Sequence, residues 1–368
     1  MSRRDLTILD ECGLSRRRFL TAIAGGAGGM LFGLLSPGTA RGNSKMRTLT
    51  LGRVLMGTAV EIEANHPDLS IARSAIEAGL QRMESVDRLM TVFRHDSEIG
   101  LVNRVAATRA VAVGQETFTV LTEAERIRLT SGGAFDVTIH PLVQLWHRTA
   151  KEGRLPSSQA IEATLGLVGH DGLLLNPDNR SVRLQRAGMG IDLGGIAKGY
   201  AVDVAAETLR HDGVHSGLID AGGDLRVVGC NRDGGIWKIG LRHPLASSRL
   251  LLSVLVEDAA VATSGNYFRY VTVSGRQYGH LLHPRTGTPA DTALSATVIA
   301  RSAIRADALA TAAMVHGADA MAFIRRVGGI EGIVVHPLAH HPGKVLVQMT
   351  PGLRHRVELL DRTAELEG

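Results

Sequence analysis

The sequence predicts a fold that mixes strands and helices, and three observations predict it. Apolar and polar residues alternate through T-L-T-L-G-R-V-L-M-G-T-A-V-E-I-E-A, Thr48 to Ala64, which is the period of half-buried strands. Ile71 to Leu89 instead places apolar residues at helical spacing with few breakers, as an amphipathic helix requires. Where the two kinds of pattern meet, G-I-D-L-G-G-I-A-K-G-Y, Gly190 to Tyr200, reads as a strand, a glycine bend and a helix start. The chain of 368 residues has room for one large domain or two ordinary ones.

At the N-terminus, S-R-R-R-F-L (Ser15 to Leu20) precedes a glycine- and alanine-rich apolar stretch, Thr21 to Leu35, then Pro37, Gly38 and Ala40. That order of parts is a twin-arginine export signal over residues 1–40, cleaved near Ala40, with 41–368 as the folded domain. The apolar stretch is short and weakly hydrophobic against the roughly 20 residues of a membrane span. No cysteine follows it to carry a lipid, so the expected compartment is the bacterial periplasm. The formal charge of +5 is partly the leader's, where five arginines face three carboxylates. Too little remains to argue for nucleic acid, and no basic stripe with interleaved aromatics is present. Cys12 and Cys230 are the only cysteines; without the leader no internal disulfide can form.

Along the mature chain, two strands flank Met56-Gly57-Thr58 and the helix Ile71 to Leu89 follows. Ser97 is placed to cap a short helix, and Glu116 to Ser131 reads as another, ended by Gly132-Gly133. Arg148 to Arg186 reads as a linking helix and a hairpin that turns at Asn176 to Asn179. Ser216 to Gly229 is a strand, a glycine turn and a strand, with Asp220 and Asp224 read as solvated turn residues. Trp237 to Leu241 and Leu250 to Val256 are strands, and Ala260 to Tyr270 sets small hydroxyl residues before an aromatic strand. Arg305 to Val315 is helical by propensity.

Several stretches carry chemistry. Gly194 and Gly195 at a helix N-terminus suit a phosphate, with Lys198 adding a point charge; an ordinary turn with a surface lysine accounts for them equally. In G-G-A-F-D-V-T-I-H-P-L-V-Q-L-W, Gly132 to Trp146, Phe135 suits the wall of a planar ligand and Asp136 suits a ribose or ring nitrogen, while Phe135, Leu142 and Trp146 also read as core. The loop H-L-L-H-P-R-T-G-T-P, His280 to Pro289, holds two histidines, either a base toward a hydroxyl or a structural hydrogen-bonder. Asp307 and Thr311, at i and i+4, project oxygens from one helix face and suit a hard cation such as Mg²⁺. The alternative is an aspartate at its helix dipole and a threonine bonded back to a carbonyl. There is no Walker loop, no H-E-x-x-H and no G-x-S-x-G.

From Met56 to about Gly317 these blocks, in this order, resemble the ApbE family of FAD:protein FMN transferases. They are M-G-T, F-x-x-D-S-E-I-x-x-x-N, G-A-F-D-V-T-x-x-P-L-x-x-L-W, D-L-G-G-I-A-K-G-Y-A-V-D, D-A-G-G-D-L, A-T-S-G-x-Y, H-x-x-x-P-R-T-G and A-D-A-L-A-T-A. The resemblance implies an α+β fold of two lobes with FAD in the cleft, and Mg²⁺-dependent movement of FMN from FAD to a threonine or serine hydroxyl of a redox flavoprotein, releasing AMP. It implies flavin-nucleotide contacts at Met56, Phe93, Ala134, Phe135, Asp136, Asp192 and Lys198. It also implies Asp307, Thr311 and a backbone oxygen near Gly195 as metal ligands, and His280 as base. Two positions depart from the family: His283 replaces the usual aspartate before P-R-T-G, and Phe93 stands where tyrosine is common. The same site with water as nucleophile would split FAD into FMN and AMP, and without chemistry it would be a periplasmic FAD carrier. The leader resembles that of relatives serving nitrous oxide respiration.

Overall fold

The computed structural model describes residues 46–266, 270–273 and 276–367. The twin-arginine segment and Cys12 lie outside the described residues, as do Tyr267 and Phe268 of the expected aromatic strand. The chain opens with β1 (Arg47–Leu55), β2 (Thr58–His66), α1 (Leu69–Met90), α2 (Glu98–Val105), β3 (Val111–Ala112) and α3 (Gln115–Thr130). Next come α4 (His140–Glu152), α5 (Ser158–Leu165), β4 (Leu173–Asn176), β5 (Ser181–Leu184) and α6 (Ala197–His211). A run of strands follows: β6 (Gly217–Ala221), β7 (Asp224–Val228), β8 (Trp237–His243), β9 (Ala246–Val256), β10 (Ala260–Gly265), β11 (Tyr270–Val273), β12 (Arg276–Gly279) and β13 (Ser295–Ala300). The chain closes with α7 (Ala303–His316), α8 (Ala320–Val327), β14 (Glu331–Pro337), β15 (Val345–Met349), β16 (Val357–Leu359) and β17 (Ala364–Leu366).

Nine strands form one sheet in the order β1-β2-β6-β7-β10-β13-β14-β15-β17. Every pairing in it is antiparallel except β15 with β17. Strand alternation divides its side chains between two cores. Ala260, Ala262, Ala296, Val298 and Val334 face the helices, while Val261, Ile299, Ile333 and Val335 face the small sheet β16-β9-β8. Helices therefore cover one face of the large sheet and a three-stranded sheet covers the other, an α+β arrangement. Among the described residues no helix is long and apolar enough to cross a membrane.

The alanine run of α7 has its explanation here. Ala306, Ala308, Ala310, Ala312 and Ala313 are all buried, because α7 is wedged between α6 and strands β10 and β13, and only small side chains permit contact on every side. Ser97 caps α2 as expected, accepting from the Gly100 amide at 2.9 Å. The G-A-F-D-V-T-I-H block is more regular than the sequence suggests. Asp136 caps a short 3₁₀ turn, Val137–Ile139, and α4 starts directly after it, with Pro141 in the first turn where its missing N–H has no partner to lose.

Candidate active site

Two helix N-termini meet at the centre of the site. Gly199 in the first turn of α6 lies so close to the Ala303 carbonyl of α7 that a Cβ there would overlap it, hence the glycine. Across this junction the Asp307 carboxylate accepts the Gly199 amide at 3.0 Å. Lys198 extends toward Asp307 at 3.6 Å and pairs with Asp224 of β7 at 2.6 Å. Asp307 is only 2% exposed. Burial, with Asp224 beside it, pushes its carboxyl up to about 7, although Lys198 and the Gly199 amide oppose the shift.

Asp220 and Asp224 are not the solvated turn residues the sequence suggests. Asp224 is buried, and burial first, then Asp224, raises Asp220 to about 6. The reason is tertiary: β7 is covered on both faces, so its charged residues need partners on α6, and Asp224 finds Lys198 while Arg226 lies 3.8 Å from Asp203.

One turn along α7, Thr311 meets the glycine bend. A Cβ on Gly195 would stand 3.2 Å from both the Phe135 ring and the Thr311 hydroxyl, so Phe135, Gly195 and Thr311 converge on one spot. Thr311 Oγ1 also lies 3.3 Å from Ser264 Oγ at the end of β10. The alternative of a dipole aspartate and a back-bonded threonine is therefore not what forms: Asp307 binds the other helix, and Thr311 meets Ser264.

The segment before the bend is not a strand. Residues 189–193 are extended but outside any sheet, held instead by Asn103 of α2. Asn103 donates to the Ile191 carbonyl at 2.9 Å and accepts its amide at 2.7 Å, and the Asp192 amide donates to Val137. Much of the expected amide cradle is also engaged, since Gly194 donates to Asp192 Oδ1 at 2.8 Å and Ile196 and Ala197 donate to the Leu193 carbonyl. Burial works against charge on Asp192, but His140, the Gly194 amide and His147 outweigh it, so its carboxyl sits below the usual range. His140 Nδ1 is 3.8 Å from Asp192 Oδ2, near enough to act through charge and too far for a hydrogen bond.

Of the remaining residues, Ala134 and Phe135 are buried beside Asp136. The Asp136 carboxylate accepts the Thr138 amide and hydroxyl at 2.8 and 2.6 Å; burial, its largest influence, raises its pKa. Met56 and Phe93 come to a common end of the molecule, because the Met56 amide donates to Asp87 in the last turn of α1 and Phe93 follows that helix. Phe93 is 78% exposed. Met56 is a non-glycine residue at φ 52° in the two-residue β1–β2 turn, and Thr58 of that hairpin packs on Gly222, next to the Asp224 turn.

His280 is exposed in the loop after β12. The path of the chain brings it to the cluster: Gly279 packs on Asn266, two residues beyond Ser264. The loop is fastened to the aromatic block by Trp146 Nε1 donating to Gly287 at 2.8 Å and by Arg285 bonding the Gly132 carbonyl. His283 does not restore the missing acid. Its Nδ1 accepts the Arg285 amide at 3.1 Å, and burial and the Arg285 guanidinium lower its pKa, leaving a neutral ring that shapes the turn.

For a metal, the donors are the Asp307 carboxylate, the Thr311 hydroxyl and the backbone at Gly195. Among the described residues no group of three or more histidine, cysteine, aspartate or glutamate side chains forms a site alone. Mg²⁺ does not need one, since it takes few protein oxygens and completes its octahedron with water and phosphate. A buried carboxylate with its pKa near 7 has much to gain from a dication, so the residues fit.

Residues 56–334 match the model of the ApbE family. The chain belongs to the ApbE family. A Vibrio cholerae relative named FAD:protein FMN transferase is 33% identical over 270 residues, 72% of this chain and 80% of its own. A Treponema pallidum protein of the same name is 28% identical and spans 91% of this chain and 95% of its own. The crystal structure of the ApbE protein from Thermotoga maritima superposes with a TM-score of 0.73 at 32% identity, covering 79% of this chain and 94% of its own. The flavin transferase ApbE from Vibrio cholerae gives the same TM-score, 0.73, at 28% identity over 84% and 99% of the two chains. Three residues of this ApbE site have no role in the sequence reading: Asn103, Asp203 and Ser264. The signal for the first two was a polar side chain in an apolar stretch, Asn103 one turn from Ile99 on α2 and Asp203 between Val202 and Val204 on α6.

Proposed function

We propose that this chain is an FAD:protein FMN transferase that moves FMN to a threonine or serine hydroxyl of a periplasmic or membrane-bound redox protein, with Mg²⁺ required and AMP released. The observation that carries the reading is the convergence of Asp307, Thr311, Gly195, Phe135 and Lys198 at one helix junction, in a chain whose relatives bear that name.

Asp307, Thr311 and the Gly195 backbone would hold Mg²⁺, which when bound neutralises charge on the pyrophosphate. Lys198 adds positive charge from the other side of the junction, and Phe135 walls the site against water. The acceptor oxygen forms a bond to the phosphorus of the FMN half while the bond to the AMP half breaks, and AMP leaves with that electron pair. His280 accepts the hydroxyl proton, its exposed position allowing an incoming protein side chain to reach it. Phosphoryl transfer asks mainly for alignment and charge stabilisation, which is what two buried helix ends supply. The S-R-R-R-F-L leader supports action after export.

The test is incubation with FAD, Mg²⁺ and a periplasmic redox-protein domain, followed by in-gel flavin fluorescence and intact mass. An acceptor gaining the mass of FMN, with EDTA abolishing the gain, supports the transferase. FMN and AMP without labelling support the pyrophosphatase, and intact bound FAD supports a carrier.

A further inference from the structure

Neither helix at the junction caps itself. Ile196 before α6 and Ser302 before α7 make no side-chain cap bond, yet both first turns are buried. Each helix is served by an aspartate of the other. Asp307 of α7 takes the Gly199 amide of α6 at 3.0 Å, and Asp203 of α6 takes the Ala303 and Ile304 amides of α7 at 2.8 and 2.9 Å, one with each carboxylate oxygen. Two positive helix ends would repel at this distance, and the two carboxylates offset that repulsion. Arg226 of β7, 3.8 Å from Asp203, flanks the arrangement from the sheet.

We propose that Asp203 is a positioning residue for metal binding: it fixes the start of α7 on α6 and so sets the Asp307 carboxylate and the Thr311 hydroxyl in register with Gly195. Asp307 lies one turn from Ile304 and Thr311 one turn further. With both amides held, α7 can neither slide nor rotate at the point where those oxygens emerge. Asp203 itself has no oxygen to spare for the metal. The inference rests on the Mg²⁺ site proposed above.

The test uses the full-length protein with saturating FAD, no acceptor, and Mn²⁺ as the probe cation, free Mn²⁺ being read by electron paramagnetic resonance. Asp203→Ala should raise the Mn²⁺ dissociation constant about 10- to 100-fold, the usual effect of losing a group that orients a ligand. Asp203→Asn, which keeps one acceptor oxygen, should raise it by about 3- to 10-fold. FAD affinity without metal should change less than about twofold. Val347→Ala, in the core on the other face of the sheet, should lower the melting temperature without moving the Mn²⁺ constant, which separates positioning from general destabilisation. Should Asp203→Ala fail to fold, Asp203→Asn carries the test. Mn²⁺ affinity within twofold of wild type in the folded variants would overturn the inference while leaving the metal site standing. A wild-type protein that binds no Mn²⁺ would overturn the metal reading and this inference with it.

Discussion

Asp307 is the residue on which the chemistry turns, and its burial makes a pH-dependent prediction. Its carboxyl rises from 3.8 to about 7 on folding, so it favours the fold fully below pH 4. That contribution is lost as the pH climbs through 7 and a charge must be buried. The metal-free protein should therefore lose melting temperature between about pH 4 and pH 7, and Asp307→Asn should remove that part of the decline. Added Mg²⁺ should stabilise the wild type more at pH 8 than at pH 6, because protons then no longer compete for the carboxylate. Asp307→Ala should cut metal-dependent turnover by at least about 100-fold, measured as AMP release. His280→Ala should cut transfer by about 100-fold or more while FAD binding, followed by flavin fluorescence, stays within about twofold; transfer at the wild-type rate would assign the base elsewhere. The i, i+4 oxygens of Asp307 and Thr311 were legible in the sequence because a single helix sets their spacing. Asp224 was not, since D-A-G-G-D is a good turn sequence in its own right and only Lys198, distant in the chain, makes it a buried ion pair.

Among the elements, the extended segment carrying Asp192 depends on another part of the chain for its shape. It has no strand partner, so the two bonds from Asn103 stand in for a ladder. Asn103→Ala should cost about 1–3 kcal/mol for each Ile191 group left unpaired, read by denaturant unfolding. It should also weaken FAD binding, because Asp192 and the bend at Gly195 lose their support; unchanged FAD affinity would mean that the segment is held by its own packing. The glycine bend and the start of α6 were legible from local chemistry. The missing strand was not, because an apolar run reads alike whether it pairs with a sheet or with one asparagine side chain. At the β1–β2 turn, M-G gave the hairpin through Gly57, but that Met56 also takes a positive φ is a cost with no local reward. It is consistent with a side chain held for a ligand.

The whole molecule places this chemistry between a helix layer and a large sheet, and most of its elements follow from periodicity alone. Their arrangement does not. The register that sets β2 beside β6, and so the Met56 turn beside the Asp224 turn, joins residues far apart in the chain with no local signal. The order of conserved-type blocks, through family resemblance, supplied what periodicity lacked. The most direct test of the account is stoichiometric. An acceptor domain already shown to take covalent flavin from another ApbE protein is incubated with this one, FAD and Mg²⁺, and AMP release is compared with flavin attached to the acceptor by mass. One AMP for each FMN bound through a threonine or serine oxygen, with both lost in Asp307→Ala, is the predicted result. AMP release with the competent acceptor left unlabelled would contradict it, and would make the helix junction the site of a hydrolase.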